Sequence, residues 1–342
     1  MASNIFISGI HAARYLLSDR CAEAIYEDYA SRPKNFMAYR EGLAELCALE
    51  PISNSAPKLS RDEATSLADW LGVDLPITVC VDSAELRRNS KKLSCQILHY
   101  GIPRGGFIQI SGEVYVSPPE LVIVQLADSL GLIELAVLCS LLFSLFASPS
   151  IPGGELCPRQ ALSNKERCLK FLLRCQPDEG RAVQGLSLAK RALDLAVEGA
   201  ASPKEIETAL LFSLPQEMGG YGFEQPVMNY EIPISRSPYK RYADLFWAKE
   251  EVAVEYDSDS EHASREALWE DAVRRNDLVD AGILSFSVTS KQLSELTGFA
   301  RTARQVAAAL GSTIIIPRDR LFNERQRQLK ATIEAAMSMF GF

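Results

Sequence analysis

Two carboxylate residues, Asp244 and Glu255, lie in a stretch that the sequence predicts to be a β-hairpin. Residues 239–247 and 252–257 have the two-residue hydrophobic period of strands. The four residues between them, 248–251, match a common length for a hairpin loop. We therefore expect Asp244 and Glu255 to stand opposite each other on neighbouring strands.

This predicted register would gather negative charge on one patch of sheet. If Trp247 pairs with Val252, Asp244 becomes the cross-strand neighbour of Glu255. Alternation then places Glu255 and Asp257 on the same face of the sheet as Asp244. Like charges facing each other destabilise a strand pair by a few tenths of a kcal/mol to ~1 kcal/mol. Mg²⁺ or Mn²⁺ would remove that repulsion, since both ions favour carboxylate ligands. The alternatives are a slipped register, or a solvent-facing strand side whose carboxylates meet nearby Lys or Arg.

Further polar positions follow the hairpin at fixed spacings. They comprise His262, the pair Asp271-x-x-Arg274, Leu278, and Gly282 followed by a strand. Together with Asp244-Leu-Phe and Val254-Glu255-Tyr256-Asp257, this ordered set resembles the PD-(D/E)XK nuclease superfamily. The branch that it resembles is related to the very-short-patch-repair endonuclease and includes bacterial domains of unknown function. The resemblance covers about residues 202–310.

The resemblance implies a role for each matching residue. Asp244 and Glu255 would be ligands of Mg²⁺ or Mn²⁺, and Asp257 would occupy the position that lysine holds in the parent motif, as a third ligand or a proton acceptor. His262 would lie at the mouth of the site as an acid or base. Glu205 would be the helix glutamate that often completes such sites.

Several of these residues have structural explanations as well. Glu205 lies three residues after Ser202, which is the spacing of a capping box. His262 could be a solvated loop histidine. Asp271 and Arg274 could pair on one helix face, although Arg274 could also hold a phosphate group or brace the carboxylates.

Departures from the family pattern leave two functions open. Ser258 stands where the family has glycine, Asp259 and Glu261 add negative charge, and Ser287 stands where a strand arginine is expected. The first function is metal-dependent hydrolysis of DNA phosphodiester bonds, in bacterial defence or repair. The second is a catalytically inactive nuclease fold that binds DNA or regulates a toxin–antitoxin or abortive-infection system. A protein-interaction module, based on apolar helices at 118–147, is a third interpretation.

Composition limits the choice of partner. The 342 residues carry 36 Lys and Arg against 44 Asp and Glu, for a formal net charge of −8. The acidic balance argues against a polybasic nucleic-acid coat but permits an enzyme that meets DNA through one local basic face. With 47% hydrophobic and 23% charged residues, the chain can form a sizeable core.

The order of predicted elements indicates an α/β protein in three parts. Residues 1–150 read as an α+β region with a regulatory or DNA-contacting role, and 151–201 as a helical connector. Residues 202–342 would form the restriction-endonuclease-like core, a mixed sheet flanked by helices. Capping boxes are predicted to open three of the helices, at Ser60–Glu63, Ser117–Glu120 and Ser202–Glu205.

The N-terminal part contains a short basic run. Its members are Arg87, Arg88, Lys91 and Lys92. Together with the helix that follows SPPELVIVQLA, they carry a fainter resemblance to regions fused to such domains in proteins related to abortive-infection antitoxins. The run could contact DNA phosphates, or it could be a solvated loop.

Other classes of protein find little support in the sequence. No glycine-rich phosphate loop, dinucleotide fingerprint or serine-hydrolase elbow occurs, so no nucleotide cofactor is expected. Eight cysteines without a C-x-x-C pair and only three histidines argue against structural zinc and favour reduced thiols. The N-terminus lacks a signal-peptide pattern, and residues 130–147, which contain Glu134, are expected to be a buried helix rather than a membrane span. We therefore expect a cytoplasmic protein, with a protein partner possible in addition to DNA.

Overall fold

A computed structural model describes residues 4–21, 56–81, 84–97, 100–101, 107–151, 153–177, 185–233, 240–257, 273, 276–311, 314–317 and 319–342. The chain divides into two units. The first comprises Met1–Leu142, Phe146–Asp194 and Met337–Phe342, and the second Phe143–Leu145 and Leu195–Ala336. The expected division into three parts stays a prediction.

The first unit is built around a five-stranded mixed sheet. Its strands are β1 (Ile5–Ile7), β2 (Ile77–Val81), β3 (Leu93–Ile97), β5 (Ile108–Ser111) and β6 (Val114–Val116), and short two-residue strands lie outside it at β4 (Tyr100–Gly101), β7 (Phe146–Ala147), β8 (Cys157–Pro158) and β9 (Gln176–Pro177). The order in the sheet is β3-β2-β1-β6-β5, and β1 runs parallel to β6 and antiparallel to β2. The helices are α1 (Gly9–Leu17), α2 (Arg61–Leu71), α3 (Pro119–Leu126), α4 (Leu132–Leu142), α5 (Lys165–Arg174) and α6 (Leu186–Leu195).

Of two predicted capping boxes in the first unit, the structure contains one and lacks the other. The capping box at α2 is confirmed, because the Ser60 hydroxyl accepts from the Glu63 N–H while Glu63 accepts from the Ser60 N–H. The prediction for α3 is wrong: Ser117 instead donates to the carbonyl of Ile7, and Glu120 is buried. The Glu120 carboxylate accepts a 2.5 Å hydrogen bond from the Ser163 hydroxyl. Glu120 therefore bonds a residue distant in the chain, Ser163, and not the backbone at the start of its own helix.

The most apolar segment forms helix α4, and every residue from 135 to 142 is buried. The expectation of a buried helix is therefore confirmed. Among the residues that the structure describes, no helix is both long enough and apolar enough to cross a membrane.

The second unit contains a four-stranded mixed sheet. Its strands are β10 (Val227–Ile232), β11 (Arg241–Trp247), β12 (Val252–Asp257) and β13 (Leu284–Thr289), and the helices are α7 (Pro203–Ser213), α8 (Ser290–Glu295), α9 (Thr297–Ala309) and α10 (Arg320–Met339), the last continuing beyond the unit. The strands are ordered β10-β11-β12-β13; the first three pair antiparallel, and β13 runs parallel to β12. Mixed sheets flanked by helices place the chain in the α/β class, as expected.

Both faces of the central hairpin are covered. On one face, the Trp247 ring lies 6.0 Å from the ring of Phe212 on α7, measured between centroids. On the other face, Phe246 and Ala253 belong to a buried cluster with Leu278 and Ile283. Because apolar cover holds the hairpin from both sides, the position of the polar residues that follow in β11 and β12 is well defined.

Candidate active site

The hairpin that carries the predicted carboxylates has the expected register. Trp247 pairs with Val252, and the ladder continues through Phe246 and Ala253 to end at Leu245 and Val254. Asp244 and Glu255 are the next residue in each strand beyond this last pair. The predicted pairing is thus confirmed up to the carboxylates themselves.

The Asp244 side chain interrupts the ladder. Its Oδ2 atom accepts a 2.7 Å hydrogen bond from the backbone N–H of Tyr256. A carboxylate therefore stands where a backbone carbonyl of β11 would otherwise satisfy that donor. Asp244 is half-buried, as is Glu255.

Asn229 on β10 lies across from Asp244. Its neighbours Met228 and Tyr230 pair with Leu245 and Ala243, which places Asn229 at the level of Asp244. The backbone of Asn229 has φ 47°, in the left-handed region that non-glycine residues seldom adopt. Its Nδ2 atom donates to the carbonyl of Gly199 at 2.9 Å and to Oε2 of Glu205 at 2.7 Å.

Glu205 is held in the first turn of α7 and is buried. The Ser202 hydroxyl accepts from the Glu205 N–H at 3.2 Å, so the predicted N-cap is confirmed. The return bond of a capping box is not made to Ser202, however: Oε2 of Glu205 accepts from the N–H of Ala201 at 2.8 Å. The same carboxylate oxygen also receives the Asn229 amide.

Glu205 and Asp244 interact electrostatically. Burial raises the pKa of the Glu205 carboxyl above its usual value, and the negative charge of Asp244 raises it further. The hydrogen bonds from Ala201, Asn229 and Ser202 act in the opposite direction by stabilising the charged form. The structure therefore brings together two of the residues proposed for the site, in surroundings where a second negative charge is unfavourable.

The remaining predicted residues are placed as follows. Asp257 is exposed at the end of β12, where it pairs with Thr289, and Glu255 pairs with the exposed Ser287 of β13. His262, Asp271 and Arg274 lie outside the described residues, as do Ser258, Asp259 and Glu261. Of the basic run in the first unit, Arg87, Arg88 and Lys91 are exposed, and Lys92 is half-buried.

The donor set fits a two-carboxylate Mg²⁺ site better than a three-carboxylate one. Over the described ranges, no group of three or more His, Cys, Asp or Glu is arranged to hold a metal ion. Mg²⁺ is commonly bound by one or two carboxylates, with waters and substrate phosphates completing its octahedron. Glu205 and Asp244, whose charges disfavour each other, provide such a pair.

Asn229 is a residue of the candidate site that was not predicted from the sequence. An asparagine in the run VMNYEI is unusual, since Asn is depleted in strands and enriched where φ is positive. That compositional signal marks an irregular position in β10. Nothing local in the sequence connects it to Glu205, which lies 24 positions earlier.

Comparisons with known proteins add no assignment. No family model matches the chain, and neither a curated protein nor a solved structure is significantly similar to it. The resemblance to the PD-(D/E)XK superfamily stays a prediction. A functional proposal consequently depends on the chemistry of Glu205, Asp244 and their neighbours.

Proposed function

We propose that the second unit is a restriction-endonuclease-like core and that the protein hydrolyses DNA phosphodiester bonds with Mg²⁺ or Mn²⁺. The observation that carries this proposal is geometric: the buried Glu205 carboxylate accepts from Asn229, which lies on β10 at the level of Asp244, where the β11–β12 ladder ends. Helix α7 supplies Glu205, and strand β11 supplies Asp244. That arrangement agrees with the roles that the sequence resemblance implies.

In this proposal each residue has a distinct task. Asp244 and Glu205 hold the metal ion directly, and Glu255 contacts it through a bound water. When bound, the ion polarises the phosphate and lowers the pKa of an attacking water. Asn229 and the Ala201 N–H orient Glu205, and Asp257 or His262 accepts the proton of the attacking water.

A second candidate function is a nuclease fold without catalysis that binds DNA or regulates a partner. One observation favours it: Oδ2 of Asp244 already accepts the Tyr256 N–H, which leaves that oxygen less able to bind a metal ion. Ser287, without positive charge, also stands on β13 opposite Glu255. Both candidates share the fold and differ in whether DNA is cut.

A cleavage assay separates the two. Supercoiled, linear duplex and single-stranded DNA are incubated with the purified protein in Mg²⁺, in Mn²⁺ and in EDTA. Asp244→Asn keeps an acceptor for the Tyr256 N–H while removing the charge, and Glu255→Gln is its counterpart on β12. Asp280→Asn, an exposed aspartate of the same unit, is the matched control.

We expect metal-dependent nicking or cleavage by the wild type and by Asp280→Asn, with a loss of at least about a hundredfold in the two site variants. Binding without cleavage in either metal would reject catalysis and favour the regulatory candidate. Equal cleavage by Asp244→Asn and wild type would show that the activity arises elsewhere.

A further inference from the structure

Two segments of the first unit bring their cations together. The backbone N–H of Ala56 donates to the carbonyl of Leu86, and the Lys92 ammonium donates to the carbonyl of Leu59. Residues 56–59, which lead into helix α2, therefore lie along residues 86–92, although they are about thirty positions apart in the chain. We call the exposed cations of both segments the basic surface: Lys58, Arg61, Arg87, Arg88 and Lys91.

The positive charge of the basic surface is largely uncompensated. Within the described part of the chain, none of its five members forms an ion pair. Three acidic residues lie next to these segments in the chain: Asp62, Glu63 and Glu85. Of these, Glu63 caps helix α2, where its carboxylate accepts from the Ser60 N–H at 2.7 Å. The pKa of Glu63 is lowered mainly by its hydrogen bonds with Ser60 and further by the positive charge of Lys92. A local excess of cations is notable in a protein of net charge −8.

Hydrogen bonds fix the backbone from which most of these cations project. The Ser90 hydroxyl accepts from the N–H groups of Lys92 and Leu93, each at 3.1 Å. Asn89 Oδ1 accepts from the N–H of Cys95 at 2.8 Å, which ties the turn to strand β3. Since the turn is already ordered, binding a polyanion there would cost little additional backbone entropy.

We propose that the basic surface binds the phosphate backbone of double-stranded DNA. Exposed, unpaired Lys and Arg on one surface are the groups that neutralise phosphates. Neither segment contains an aromatic residue, whereas binding of single strands depends on bases stacking on aromatic rings. The contacts are therefore with the backbone of a duplex, without sequence preference. The choice of DNA rests on the proposed function, but binding requires no catalysis.

The test measures DNA binding by the full chain in EDTA, where metal-dependent cleavage cannot occur. A short fluorescein-labelled duplex is titrated by anisotropy over a range of salt concentrations. The variant Arg87→Gln/Arg88→Gln/Lys91→Gln removes three charges of the basic surface. The control Lys170→Gln/Arg174→Gln/Arg191→Gln removes three exposed charges from α5 and α6 of the same unit.

We expect the wild type and the control to bind with a strong salt dependence. The basic-surface variant should bind about tenfold or more weakly at low salt, and its log–log salt slope should be shallower by about three, at about one per lost phosphate contact. Arg87→Lys/Arg88→Lys/Lys91→Arg should restore both quantities. If the first variant does not fold by circular dichroism, Lys58→Gln/Arg61→Gln tests the neighbouring segment, with a slope shallower by about two.

Three results would overturn the proposal: no binding by the wild type, an equal loss in the variant and the control, or stronger competition by single-stranded DNA or RNA than by duplex. Failure of the proposed catalysis has a different signature. In that case the duplex binds as described in EDTA and stays intact when Mg²⁺ is added.

Discussion

The side-chain amide of Asn229 donates a 2.7 Å hydrogen bond to the buried carboxylate of Glu205, from a backbone that has the left-handed φ of 47°. The same amide holds the carbonyl of Gly199. An irregular residue in strand β10 thus connects the loop before helix α7 with the helix itself, at the level of Asp244 on the neighbouring strand. Conformations of this kind are found where the surrounding structure holds them, often near functional sites.

The backbone of Asn229 predicts an unusual order of stability between two substitutions. Both Asn229→Gly and Asn229→Ala lose the two side-chain hydrogen bonds. Glycine adopts positive φ without steric cost, whereas alanine does not. We expect Asn229→Ala to be less stable than Asn229→Gly by about 1 kcal/mol in the free energy of unfolding, measured in urea. The opposite order would show that Asn229 is not held at positive φ in solution.

The surroundings of Glu205 predict a pH dependence of stability. Burial and the charge of Asp244 raise the pKa of Glu205 in the folded protein. A carboxyl whose pKa is higher when folded contributes stability below its unfolded pKa, and this contribution disappears as pH rises through the folded pKa. Wild type should therefore lose stability relative to Glu205→Gln as pH rises above the ordinary glutamate pKa of about 4.3. Urea unfolding in EDTA measures this, and parallel curves for the two proteins would contradict it.

An ion-pair network between helices α7 and α10 predicts a second effect on stability. The fully buried Glu207 carboxylate lies 2.7 Å from Lys204 Nζ and 3.2 Å from Nζ of Lys330 on α10, and Glu334 pairs with both lysines. Glu207→Gln should lower the free energy of unfolding by about 3 kcal/mol, since it leaves the mostly buried Lys330 without its buried partner. Glu334→Gln, an exposed member, should cost less than about 1 kcal/mol.

The double variant Glu207→Leu/Lys330→Met provides the control for this network. It removes both buried charges and keeps apolar volume, so it should recover much of the loss in Glu207→Gln. Equal stability of Glu207→Gln and wild type would contradict the burial of this carboxylate.

Metal binding should be visible in thermal stability as well. An ion that binds only the folded protein stabilises it by about 2.7 kcal/mol at a hundredfold excess over Kd. We expect Mg²⁺ or Mn²⁺ to raise the melting temperature of the wild type and of Asp280→Asn, and to leave that of Asp244→Asn unchanged. An unchanged wild-type melting temperature at millimolar metal would favour the non-catalytic candidate.

Local patterns in the sequence were sufficient to predict part of this site. The register of β11 and β12 follows from the four-residue connector and the alternation that begins at Trp247 and Val252, and the structure has those pairs. The cap of α2 also follows from Ser60 and Glu63 alone. In both cases the interacting residues are close in the chain, so spacing determines the geometry.

Long-range contacts account for what the sequence did not predict. Glu120 has the spacing of a capping residue, yet it is buried against Ser163, 43 positions later. The Glu205 carboxylate accepts from the N–H of Ala201 where a capping box would use the N–H of Ser202, and it also accepts from the Asn229 amide of β10. Asp257 shares the alternation of Glu255 but extends into solvent at the end of its strand. Periodicity gives no information about which tertiary partner a polar side chain will meet.

We propose that Glu205 and Asp244 hold one divalent ion, and electron paramagnetic resonance of Mn²⁺ measures this binding. Free Mn²⁺ gives a sharp signal that is lost on binding, so the number of sites and the Kd are read without any DNA. We expect one site in the wild type and in Asp280→Asn, displaced by excess Mg²⁺, and a loss of that site in both Asp244→Asn and Glu205→Gln. Absence of binding to the wild type, or a site that survives both substitutions, would contradict it.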